Sequence, residues 1–188
     1  MSDIAVALIL VAVVNPARAR LSWPVAESER PRASRVVAMG SSVVAGAGLV
    51  LAAASGPILD ALAVSLPTFR TGAGIVMLAA GLRLVVAGPS RWEGVTPSRR
   101  TALVPVAFPI LFTPELAAAA ISYGADHGVA ATVVGVLAGL ALAVAVFSFG
   151  TRPNRAAGGA VALGAGRFAA AVVTIAGVLA TVGGILDL

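Results

Sequence analysis

The feature that most constrains this chain is its division into six apolar stretches separated by polar breaks. Apolar residues make up 59% of it and charged residues 11%, and the mean hydropathy is +1.01. A soluble domain of 188 residues has too little interior to hide that much apolar surface, whereas lipid solvates it. At roughly 20 residues per crossing, about six helices use up the length. The expected fold is an all-α membrane protein forming one polytopic domain over residues 1–188.

Two of the six stretches are interrupted. The first apolar run, Ile4 to Val14, rises only about 16 Å as a helix, roughly half of a hydrocarbon core, before it meets Asn15-Pro16. Proline removes a helix hydrogen bond and restricts the residue before it. This helix is therefore expected to be broken or re-entrant, leaving the membrane through Trp23-Pro24. The fourth stretch, Ala102 to Tyr123, carries Pro105, Pro109 and Thr113-Pro114, and is expected to break in the same way. The remaining helices are predicted over Val36–Ala54, Thr68–Ala87, Val129–Phe149 and Ala165–Leu186, with Gly56-Pro57 ending the second. Small residues such as Gly40, Ser41, Gly46 and Gly48 suit close helix packing.

All thirteen basic residues are arginine. They concentrate at Arg18 to Arg35, Arg83 to Arg100 and Arg152 to Arg167, while Asp3, Asp60, Asp126 and Asp187 mark the opposite ends. By the positive-inside rule the arginine-rich loops are cytoplasmic and both termini lie outside. The same placement argues for topology and against a nucleic-acid partner. A signal peptide begins with positive charge, but here the first charge is Asp3 and the arginines follow the apolar run. The chain has no cysteine and one histidine, so neither a metal centre nor a cofactor site is expected. No acid, base and nucleophile converge, so no enzyme is expected.

The halves resemble each other. Asn15-Pro16 faces Thr113-Pro114, Gly40 faces Gly135 and Arg70 faces Arg167, at offsets of 98, 95 and 97 positions. Repeat one spans 1–90 and repeat two 99–188. Three crossings in each half make the second inverted relative to the first, an architecture that recurs in transporters.

A backbone break inside lipid is tolerated only against protein or water, and half-helix ends aim partial charges into that space. The candidate substrate site is therefore Asn15, Pro16, Thr113, Pro114 and Glu115, with Arg70 nearby. The plainer reading of the prolines is a pair of kinks without a ligand. Glu115 follows the second break, where it is placed to bind a solute, carry a proton or complement the helix dipole. Arg70 heads its helix, where it needs an acid such as Asp60 or Glu115, or a solute carboxylate. Arg18 and Arg20 read as topology charges unless the first segment re-enters, and His127 as a solvated turn residue.

The motifs resemble the MarC-related family of bacterial inner-membrane proteins. The broken opening helix at Asn15-Pro16, the run LPTFRTGAGIVML from Leu66 to Leu78, and VPVAFPILFTPELAAA from Val104 to Ala119 carry the resemblance. Two places depart from the family pattern. Ala17-Arg18-Ala19-Arg20 stands where small or uncharged residues are usual, and Thr113-Pro114-Glu115 replaces Gly-Pro-Gly. The resemblance implies six transmembrane helices, a transporter-like body and a cytoplasmic (inner) membrane location. It also implies a small polar solute as cargo, with a small neutral amino acid as the leading candidate. Besides the lipid bilayer and the solute, a homo-oligomer is an open alternative, as is a scaffold that transports nothing.

Overall fold

The computed structural model describes residues 1–149 and 156–188, and every regular element among them is helical. The loop residues Arg152, Pro153 and Arg155 lie outside the described residues. Helix α1 (Asp3–Val14) starts on Ser2, whose hydroxyl accepts the Ala5 N–H, and ends at Asn15. Asn15 adopts φ 48°, ψ 72°, a left-handed conformation that asparagine tolerates better than most residues. Its side chain then caps α2 (Pro16–Ser22), which has proline at its start, where the missing N–H is not needed.

After a short 3-10 turn at Glu27–Glu29 come α3 (Arg30–Ala53), α4 (Ser55–Ala61) and α5 (Leu66–Ala87). A single turn, α6 (Arg99–Thr101), leads into an irregular coil, Ala102–Leu111. There Val104 and Phe108 are extended, and each precedes a proline, the position proline pushes away from helix. Helices α7 (Pro114–His127), α8 (Val129–Phe149) and α9 (Ala156–Leu186) complete the chain.

Among the described residues, five helical stretches are long and apolar enough to cross a membrane. The first is Asp3–Ser22, 20 residues counted through the Asn15 interruption. A sixth crossing forms if Arg99–Leu111 and Pro114–His127, bent by 66°, act as one span. The protein is thus an all-α, multi-span membrane protein. The first helix is broken without turning back, since α1 and α2 together make one span-length passage.

Helix limits differ from the sequence reading in places. Helix α3 starts at Arg30 rather than Val36, because the proline at its start presets helical geometry and the arginines need not sit in lipid. Helix α9 starts at Ala156 rather than Ala165, and α7 runs on to His127. Helix α3 ends at Ala53, four residues before Pro57, which has no N–H to bond the Ala53 carbonyl; Gly56 and Pro57 themselves lie in the first turn of α4.

Helices α5 and α9 make the closest pair. Gly184 approaches the Pro67 carbonyl and the Thr71 amide, Gly177 the Leu78 amide, and Gly81 the Ala170 carbonyl and Thr174 amide, so the two helices run antiparallel. A Cβ on Gly177 would lie 2.5 Å from the Leu78 nitrogen, so only glycine permits this separation. Helices α1, α3, α7 and α8 pack together on the other side of the molecule. Leu10, Met77, Leu116 and Phe147 fill the interior, while Ile4, Leu8, Val50, Val134 and Leu179 face outward. That outward apolar belt suits a lipid surrounding.

Candidate functional site

The two breaks are capped alike. Asn15 Oδ1 accepts the Arg18 N–H at 3.0 Å, and Thr113 Oγ1 accepts the Leu116 N–H at 3.4 Å, each one turn into a helix that begins with proline. At ~1.5 Å per residue, Asn15 lies about 18 Å from the start of α1, and Thr113 about 21 Å from the end of α7. Those two ends are on the same side of the molecule, since Met1 and His127 border one cavity. The breaks therefore meet at one depth.

They meet through a charge pair. Arg18 Nη1 lies 2.8 Å from Glu115 Oε1, with the side chains only 10% and 8% exposed. Arg18 Nη2 donates to the Ile110 carbonyl at 2.9 Å, an acceptor at the irregular end of the coil. Asn15 Nδ2 donates to the Gly166 carbonyl of α9 at 2.9 Å. Thus Asn15, Pro16, Thr113, Pro114 and Glu115 come together, all of them buried except Pro114.

Beside this pair is a cavity of about 180 Å³. Its polar lining comes from Arg18, Ser22, Arg83, Ser90, Thr113 and Glu115. A much smaller void of about 10 Å³ adjoins Asn15, Gly166 and Arg167, close to the size of a single water. Arg20, also buried, lies with its guanidinium 5.1 Å from the Phe147 ring centre, a cation–π contact. The reading of Arg18 and Arg20 as topology charges is therefore corrected: α2 continues the first span and carries both into the protein interior.

Arg70 is elsewhere. It lies about 20 Å along α5 from the Arg83–Leu84 rim of the first cavity. It pairs with Asp126 at 3.1 Å and with Asp187, not with Asp60 or Glu115. Glu115 is unreachable because it sits a helix length away on α7, and Asp60 points to solvent on α4. Arg70 instead borders a second cavity of about 290 Å³ with Ile9, Tyr123, Asp126 and His127. His127 is not a freely solvated turn residue, since its Nε2 lies 3.4 Å from Asp126 and its side chain is 14% exposed. Among the described residues, no three His, Cys, Asp or Glu side chains gather as metal ligands.

Arg18, Asp126 and Asp187 are not among the site residues expected from sequence. Arg18 lies one turn after Asn15-Pro16, as Glu115 lies just after Thr113-Pro114, but that position alone does not tell a site residue from a topology charge. The family model for MarC family integral membrane proteins matches residues 3–153. The chain belongs to the MarC family. The resemblance seen in its motifs is thereby borne out. The match runs through both breaks and Arg70 of this MarC-family chain, and ends before α9. No curated protein and no solved structure matches the chain.

Proposed function

We propose that this MarC-family protein is a secondary transporter or exporter of a small polar solute in the cytoplasmic (inner) membrane, with both termini outside. One observation carries the reading. Two cavities that each carry charged side chains lie toward opposite ends of the same seam, between the α5–α9 pair and the rest of the bundle. Between them along the same helices lie buried Met77, Ala119, Ala120 and Val173. A cavity at each end and a closed apolar middle are what a carrier with alternating access needs.

The two halves are read as inverted repeats, with α5 and α9 as their third helices. The matched caps at Asn15 and Thr113 and the antiparallel glycine contacts support this. The solute site is placed at the inner cavity, where Arg18 and Glu115 present both signs of charge. A small neutral amino acid is the first solute to test there, its carboxylate facing Arg18, against small solutes of other net charge. Arg70 acts at the outer end, holding α5 to α7 through Asp126.

Thermal unfolding of the purified protein with a panel of small solutes tests the site. The expected result is a rise in melting temperature for one solute class, lost in Glu115→Gln, followed by uptake of that solute into proteoliposomes. If Glu115→Gln left uptake unchanged, the site would be wrong. Folded protein that no solute stabilises would favour the scaffold instead.

A further inference from the structure

The inner cavity carries more positive than negative charge. Its charged lining, among the described residues, is Arg18 from α2, Arg83 from α5 and Glu115 from α7. Arg167 of α9 borders the small void at Arg18 and adds a further cation nearby. The amino end of the 14-residue α7 opens at the same place, with Thr113 and Pro114 in the lining, and contributes partial positive charge.

One glutamate answers one arginine, and the second guanidinium is left over. Arg83 is exposed, and among the described residues its Nη2 reaches only the Ser90 hydroxyl, at 3.4 Å. Arg18 is not saturated either. A guanidinium has five N–H donors, and the bonds to Glu115 and Ile110 leave others for a ligand. When a carrier closes around its load, net charge held away from water is costly. A neutral zwitterion would leave the excess positive charge in place. A solute with one net negative charge cancels the single excess charge of the lining itself.

We propose that the inner cavity selects a small carboxylate solute of net charge minus one, held between Arg18 and Arg83. Glu115 is then a positioning residue that fixes the Arg18 fork by its 2.8 Å contact. Ser22, Ser90 and Thr113 offer hydroxyls to the rest of the solute. The inference rests on the transport reading, and it names the class of cargo.

Three probes of similar size separate the cases: lactate (net minus one), glycine (net zero) and glycinamide (a cation without a carboxylate). With full-length protein, lactate is expected to raise the melting temperature at a concentration about tenfold below that of glycine, with glycinamide inert. Arg83→Gln, at an exposed position, is expected to bring the lactate-to-glycine ratio towards one, and Arg83→Lys to restore much of it. Glycine matching lactate in the unaltered protein, or a ratio that Arg83→Gln leaves intact, overturns the proposal. Counterflow in proteoliposomes tests the underlying reading separately. Lactate that stabilises the protein but shows no protein-dependent flux would sink transport while upholding the anion site.

Discussion

The Arg18–Glu115 pair shows what a single contact decides here. A carboxylate that loses its buried partner is far more costly than a pair removed together. Arg18→Met is therefore expected to lower stability by about 3 kcal/mol, because it strands Glu115. The double variant Arg18→Met/Glu115→Leu is expected to regain most of that loss, since no buried charge remains. Thermal unfolding of the two singles and the double closes the cycle; losses that simply add would show that the two side chains do not act on each other. Glu115 could be singled out from sequence because an acid within an apolar stretch has few benign explanations. Arg18 could not, because an arginine after an apolar run is also what a topology signal looks like. Only the direction of α2 after Asn15 separates the two.

Among the elements, the α5–α9 pair depends on glycine at defined positions. Gly177 sits against the backbone of α5, whereas Gly72 in α5 has nothing within 4 Å of where a Cβ would lie. Gly177→Ala should destabilise the protein by about 1–3 kcal/mol, because backbone cannot move aside. Gly72→Ala should be neutral or stabilise by up to ~1 kcal/mol, through the gain in helix propensity. Unfolding curves for the two variants check this, and equal effects would deny the close packing. The glycine content announced close-packed helices, but not which glycines make contact: in α3, Gly40 meets the Ala102 carbonyl while Gly46 meets nothing. The breaks were more legible. Asn-Pro and Thr-Pro act on their own backbone, so their effect follows from local chemistry.

For the whole molecule, the ends are sorted by charge. Met1 and Arg70 gather with Asp126 at one end, and the Asp187 contact brings the chain's last turn there too. The loop at the other end is tied in by the Trp23 indole donating to the Val95 carbonyl and the Trp92 amide donating to Ser22. Because the chain has no cysteine, single cysteines report sidedness without background. Ser2→Cys and Leu188→Cys are expected to react with a membrane-impermeant thiol reagent on intact spheroplasts, and Ser90→Cys only after permeabilisation. The reverse pattern would invert the topology.

What the sequence determined by itself is whatever depends on neighbours along the chain or on bulk composition. Six apolar stretches, two proline breaks and the segregation of arginine follow from hydropathy, backbone restriction and charge, and none needs a folded partner. The tertiary structure alone decided which charges meet. Arg70 found Asp126 and Asp187 rather than Asp60 or Glu115, and Arg18 found Glu115, because helix direction and depth set those distances. A salt bridge forms only between groups that packing brings within a few ångströms, and a one-dimensional pattern does not carry that information.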